Sequence, residues 1–257
     1  MSPIAGAGVV VTGGGGGIGK ALAERLAAGG ARVVVNDIDA AAAGSVAQQI
    51  GGYAVAGDAA GDSGVRELIA EARLRLGDID VYCANAGIAE EGGPEAPEEA
   101  WARSWEVNVM AHVRASRHLL PRWLERGSGR FVSTASAAGL LTMLGSAPYS
   151  ASKHAAVAFA EWLSATYGHR GVTVQCICPQ GVRTGMLPEE GTPGHAVLGG
   201  SAIEPERVAE CLWDALHDDR FLVLPHAEVA DYYARRAADP DRWLSGMRRM
   251  QEHIESI

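Results

Sequence analysis

A tyrosine and a lysine stand four residues apart in Tyr149-Ser150-Ala151-Ser152-Lys153, at the start of a long helix-forming stretch. On a helix, positions i and i+4 share one face, a turn apart. A phenol with a free pKa near 10 exchanges a proton near neutrality only if that pKa falls by roughly 2–3 units, about 3–4 kcal/mol. A fixed ammonium one turn away supplies part of that shift and a second positive charge can supply the rest. Composition sharpens the pairing, because the chain holds 20 Arg and only two Lys, Lys20 and Lys153. In a chain so biased toward Arg, Lys153 marks a place where a compact ammonium serves and a guanidinium fork does not. Lys20 begins an earlier helix pattern and can be a plain surface residue.

A second cluster lies near the N-terminus. A strand-like run enters Thr12-Gly13-Gly14-Gly15-Gly16-Gly17-Ile18-Gly19, and a helix pattern follows at once. Five consecutive glycines cost backbone entropy. Their use between a strand and a helix is close approach of backbone N–H groups to a pyrophosphate at the helix N-terminus. The next strand ends in Asp37, whose carboxylate can accept from both adenosine ribose hydroxyls and would repel a 2′-phosphate. Neither Gly16 nor Ile38 is basic, so NAD is favoured over NADP. An Asp at a strand end is also a common helix N-cap.

The spacing T-G-x-x-x-G-I-G, followed by Y-x-x-x-K, resembles the short-chain dehydrogenase/reductase family, in its branch of about this chain's length, across essentially the whole sequence. That resemblance implies a hydride transfer between nicotinamide and an alcohol or ketone, with Tyr149 as general acid/base and Lys153 lowering its pKa and holding ribose. Ser136, 13 residues before Tyr149, would orient the substrate oxygen; the competing Ser133 lies too early, within a strand. Asn108 matches the Asn that positions a water next to the Lys, although internal helix packing is an alternative. Gly13, Gly17 and Ile18 take the cofactor-loop positions and Gly19 closes the motif. Asp58 and Ala59 would hold adenine, and Asn85-Ala86-Gly87 would support the sheet and pass near ribose; read alone, each is an ordinary turn after a strand. Pro179, Val182 and Thr184 fit the family's P-G-x-V-x-T element, with Val182 and Thr184 toward the nicotinamide amide. Gln180 departs from the Gly expected there, which bears on the local backbone angle. The family also implies a homo-oligomer, a tetramer or dimer, in which two helices pair across a two-fold axis. Trp101, Trp105, Phe159 and Trp162 are the apolar residues available for that contact.

The elements needed to position these residues follow from hydrophobic patterning. Strand-like runs cover Gly8–Thr12, Arg32–Asn36, Tyr53–Ala56, Val81–Ala84, Arg130–Thr134, Val172–Ile177 and Phe221–Leu224. Helix patterns cover Ile18–Ala28, Asp39–Ile50, Gly64–Leu76, Glu98–Arg126, Ser150–Tyr167 and Pro205–His217. Continuous apolar strands suit a sheet covered on both faces, and regular alternation predicts a doubly wound α/β fold. We expect one Rossmann-type domain over 1–257 with a seven-stranded, mostly parallel sheet. The segment from 226 to 257 reads as an Arg-rich amphipathic helical extension, with a solvated polar face, a substrate lid or a subunit contact as its uses.

Composition bounds the partners. Apolar residues make up 47%, charged residues 21%, and the net charge is −9. Such an acidic balance argues against nucleic acid and against an anionic membrane surface. No 18-residue apolar run or signal peptide is evident, so a cytoplasmic protein is expected. Cys83, Cys176, Cys178 and Cys211 lack zinc-site spacing and read as core residues, with no metal expected. Two segments should flank the reacting carbon. Leu140, Leu141, Met143 and Leu144 follow Ser136, and Met186, Leu187, Val197 and Leu198 lie in a lid over Thr184–Ser201. These uncharged walls predict a largely apolar substrate, with Arg183 or Glu90-Glu91 as the places where an ionic group could enter. A non-catalytic nucleotide-binding regulator is the rival from another class, and an NADP(H)-dependent carbonyl reductase the rival within the same fold.

Overall fold

The computed structural model describes residues 3–190 and 198–256. Its seven strands are β1 Gly8–Thr12, β2 Arg32–Asp37, β3 Tyr53–Ala56, β4 Val81–Ala84, β5 Gly129–Thr134, β6 Val172–Ile177 and β7 Leu222–Val223. They form one sheet in the order β3-β2-β1-β4-β5-β6-β7, and all six pairings are parallel. This is the doubly wound Rossmann-type arrangement that the alternation predicts. The order reverses between β1 and β4, and that switch point opens a crevice at the carboxyl ends of the strands.

Strands β1, β2 and β6 form because they are runs of β-branched residues that two helical layers can cover, whereas the edge strand β3 is largely exposed. Val9, Val11, Val33 and Val35 pack into one apolar cluster with Leu22, Leu26 and Leu212. Val10 and Val34 point the other way, into a cluster with Tyr82, Trp123, Phe131 and Leu163. Each such fully buried side chain stabilises the fold by roughly 1.5–3 kcal/mol. All four cysteines are buried and free.

The helices are α1 Gly17–Ala28, α2 Ala40–Ile50, α3 Asp62–Leu76, α4 Glu98–Trp105, α5 Ala111–Arg126, α6 Ala138–Leu141, α7 Ala147–Tyr167, α8 Pro205–Asp218, α9 Glu228–Ala238 and α10 Pro240–Glu255. Periodicity predicts one helix over 98–126; the structure interrupts it with a π-helical turn at Glu106–Met110. The extra residue in that turn carries Asn108 into the interior, where it is fully buried. Helix α7 starts three residues before the expected Ser150, with Pro148 in its first turn, a position that needs no N–H partner. The C-terminal extension divides at Asp239-Pro240, and the Asp239 carboxylate caps α10 by accepting from the Arg242 N–H at 3.0 Å. Among the described residues no helix is long and apolar enough to cross a membrane.

Candidate active site

The glycine loop joins β1 to α1. Gly13 (φ 61°) and Gly17 (φ 50°) occupy the left-handed region that favours glycine. Gly19 is demanded by packing instead: a Cβ there would lie 2.0 Å from the Gly13 carbonyl oxygen. The loop is thereby folded onto the first turn of its helix, with the helix N-terminus facing the crevice. Asp37 closes its far side, accepting from the Gly15 N–H at 2.9 Å and the Asp39 N–H at 3.0 Å. It is not the cap of α2. That role belongs to Asp39, which accepts from Ala41 and Ala42.

Thr12 is the hinge between the glycine loop and β4, a role its residue type did not announce. Its Oγ1 accepts from the N–H groups of Asn85 and Ala86, both at 3.0 Å, and donates to the Cys83 carbonyl. Asn85 returns the tie by donating to the Thr12 carbonyl at 3.0 Å. Gly87 then passes over the catalytic half, where a Cβ would meet Asn108 Oδ1 at 3.2 Å and Lys153 Nζ at 3.4 Å. Asp58 is exposed and shapes the entry to α3, accepting from Ala60 and Gly61. It lines the crevice together with Ala59, Gly13, Gly17, Ile18 and Asp37.

On the β5 and β6 side, Ser136, Tyr149 and Lys153 converge. Lys153 is buried, donates to the Thr134 carbonyl at 3.0 Å, and holds its Nζ 5.6 Å from the Tyr149 ring centre. Burial pulls its pKa down to about 8. The Tyr149 pKa is raised: burial pushes it up, and a hydrogen bond from Ser136 pulls it down by less. The ammonium alone therefore does not supply the lowering that the i, i+4 spacing suggests. Ser136 Oγ also accepts from the Ala138 N–H at 3.1 Å. Ser133 is turned away, against buried His112 at 3.1 Å.

Asn108 does not reach Lys153 with its side chain. It donates to and accepts from the Ile88 backbone, both at 3.0 Å, and donates to Ser152 Oγ at 3.1 Å. Ser152 in turn donates to the Tyr149 carbonyl at 2.9 Å. The π turn is thus tied to the first turn of α7 through Ser152, a residue the motif leaves unspecified.

Pro179, Val182 and Thr184 line the same crevice. Thr184 bridges its two halves, since a Cβ on Gly17 would lie 2.9 Å from its methyl group. Gln180 fits without strain: among the described residues only Thr142 and Asp219 have positive φ outside glycine. Its N–H donates to Nδ1 of buried His226 at 3.2 Å, while His226 Nε2 donates to the Ser201 carbonyl at 3.1 Å. His226 so pins the loop after β6, a role without any local sequence signal.

The crevice is about 1800 Å³, and its substrate side differs from expectation in three places. Leu141, Met143, Leu144, Met186, Leu187 and Leu198 line it, whereas Leu140 is in the core. Val197 lies outside the described residues. Arg183 pairs with Glu204 at 3.1 Å and Glu90 with Arg103 at 2.7 Å, so of the ionic candidates only Glu91 reaches the crevice. The C-terminal helices α9 and α10 supply a further wall that includes Tyr232, Trp243 and Met247.

Comparison with known proteins agrees with this geometry. Residues 7–193 match the family model for short chain dehydrogenase. The chain is 37% identical over 229 residues to a 1-deoxy-11-beta-hydroxypentalenate dehydrogenase of Streptomyces avermitilis, covering 86% of this chain and 84% of that one. It is 36% identical over 192 residues to a 2,5-dichloro-2,5-cyclohexadiene-1,4-diol dehydrogenase of Sphingobium indicum, covering 73% and 77%. A short chain dehydrogenase/reductase from Burkholderia phymatum, solved in complex with NAD, superposes with a TM-score of 0.85 at 28% identity, covering 94% of this chain and 96% of that one. With a glycine loop, a parallel sheet reversing at β1 and β4, and a Ser-Tyr-Lys cluster facing that reversal, the chain belongs to the short-chain dehydrogenase family.

Proposed function

We propose that this oxidoreductase, acting on a CH–OH group, uses NAD(H) and takes a secondary alcohol or ketone on a largely apolar body. The observation that carries the reading is the convergence of Ser136, Tyr149 and Lys153 on a crevice whose other half is the glycine loop. The fit of a dinucleotide rests on that loop: positive-φ glycines, the tight Gly19 contact, and a carboxylate at Asp37 where a 2′-phosphate would have to sit. Gly13, Gly17, Ile18 and Asp37 would hold the adenosine and pyrophosphate side, with Asp58, Ala59, Asn85, Ala86 and Gly87 along the adenine and ribose. Pro179, Val182 and Thr184 would hold the nicotinamide end. When bound, that cofactor supplies the hydride chemistry and, in its oxidised form, the second positive charge the phenol needs.

The remaining work belongs to the chain. Ser136 Oγ holds the substrate oxygen. Tyr149 Oη takes the substrate hydroxyl proton, or returns it in the reverse direction. Lys153 has one N–H on Thr134 and two left for ribose hydroxyls, and its charge favours the phenolate. Asn108, through Ile88 and Ser152, fixes the turn of α7 that aims Tyr149; a water relay beside Lys153 belongs to the same proposal. Residues 191–197 of the segment Thr184–Ser201, expected to act as a lid, lie outside the described residues. The wider reading is a cytoplasmic homotetramer or dimer of one-domain subunits. Tyr149→Phe keeps the shape and removes the ionisable group. Turnover should fall by ~10²–10⁴ while NADH affinity stays within about twofold; near-normal turnover in this variant contradicts the mechanism.

A further inference from the structure

Helix α10 carries no buried residue, yet one of its faces is turned to the crevice. Trp243, Gly246, Met247 and Met250 recur along it at three- and four-residue steps, and Arg242 and Arg249 lie on the same stripe. From α9, Tyr232 and Arg235 join this wall. The wall is docked rather than free, because Arg236 donates to the Leu140 carbonyl and contacts His154 Nε2 at 3.2 Å. Tyr232 and Trp243 also pack against the main core.

The charges on these two helices are sorted. Of five arginines, Arg235, Arg242 and Arg249 face the crevice. Of the six acids from Glu228 to Glu255, only Glu228 and Asp239 do, and Asp239, between the helices, is engaged in capping α10. Among the described residues ten other arginines form ion pairs, but Arg235, Arg242 and Arg249 form none. Arg249 bonds only neutral Ser245, and Arg235 lies 6.0 Å over the Tyr232 ring. The acids that reach the crevice from elsewhere on this side, Glu91 and Glu189, come from the loops after β4 and β6.

An apolar stripe bordered by unpaired guanidinium groups, beside the apolar wall of Leu141, Met143, Leu144, Met186 and Leu187, matches a molecule with an apolar body and one anionic end. We propose that α9 and α10 form a subsite for the carboxylate of an amphiphilic substrate. Its body lies on Trp243, Met247 and Met250, and its carboxylate is taken by Arg242 and Arg249 with Arg235 beside them. A guanidinium fork matches a carboxylate bidentately, which gives this end of the ligand direction as well as charge. The inference rests on the dehydrogenase reading only for the reacting end of the ligand.

Decanoate and methyl decanoate, titrated calorimetrically into the full chain saturated with NADH, test it. Decanoate should bind at least ~10-fold more tightly than the ester at 50 mM NaCl, and the gap should shrink to about threefold or less at 500 mM as the exposed charges are screened. Arg242→Gln/Arg249→Gln should abolish the gap, and Arg242→Lys/Arg249→Lys should keep part of it. Equal affinity for acid and ester, a preference that survives in the Gln variant, or no binding of either compound overturns the subsite. The same titration without NADH, together with Tyr149→Phe turnover, separates the two failures: loss of the dehydrogenase reading leaves the acid preference in place, and loss of the subsite leaves turnover in place.

Discussion

Lys153, Tyr149 and His112 are three titratable groups in one buried neighbourhood, and burial acts on each in the direction that disfavours charge. The lysine falls to about 8 and the tyrosine rises. His112 is lowered from 6.5 to about 3, by burial first and by the Lys153 charge second. Its Nδ1 faces Ser133, while its Nε2 is buried without a partner, so the imidazolium would bury its charge with the Nε2–H unpaired. The unfolded chain binds that proton below pH 6.5 and the folded chain does not until about pH 3, so stability is retained above 6.5 and lost as pH falls through this window. The residue should remove about 2–3 kcal/mol between pH 7 and 4.5. Denaturant titrations across that range should show this loss in the wild type and a flatter profile in His112→Gln. An unchanged slope in the variant would place the acid sensitivity elsewhere.

At the scale of elements, the glycine loop and α1 act as one piece because Gly19 lies against the Gly13 carbonyl. A methyl group placed 2.0 Å from that oxygen must push the loop off the helix. Gly19→Ala should weaken NADH binding by at least ~10-fold in a fluorescence titration, while far-UV circular dichroism stays near wild type; unchanged NADH affinity would mean that the loop does not form the cradle. The strands and most helix limits were legible in the sequence because runs such as GVVVT and RVVVND are buried on both faces and bounded by Gly or polar turns. Tyr149, Lys153 and Ser136 were legible because their chemistry depends on residue type and short spacing. The π turn at Glu106–Met110 was not, since it is a shift in helical register set by Asn108 bonding to Ile88 twenty residues away. The four-residue α6 is too short to display a period. The amphipathic pattern of 226–257 reveals which face is apolar, but what covers that face is a tertiary fact, and here it is the crevice.

For the molecule as a whole, the sheet order separates two tasks: β1 to β3 carry the glycine loop, Asp37 and Asp58, and β4 to β6 carry Ser136, Tyr149, Lys153 and the loop walls. Exposed Trp105 and Trp162 lie outside both tasks, at 48% and 53% exposure, with Phe159 stacked on Trp162. Apolar surface of this kind at α4 and α7 is suited to burial against another copy. Light scattering at micromolar concentration should give a dimer or tetramer mass, and Trp105→Glu/Trp162→Glu should lower it; a monomeric wild type contradicts the assembly. The central claim, an NAD-linked dehydrogenase, is met most directly by absorbance at 340 nm with NAD and NADP in parallel against a panel of alcohols, hydroxysteroids, polyols and hydroxy acids. Repulsion between Asp37 and a 2′-phosphate should favour NAD in kcat/KM by at least ~30-fold, on the order of 2 kcal/mol. A preference for NADP, or no absorbance change with either cofactor on any member of the panel, would contradict the account.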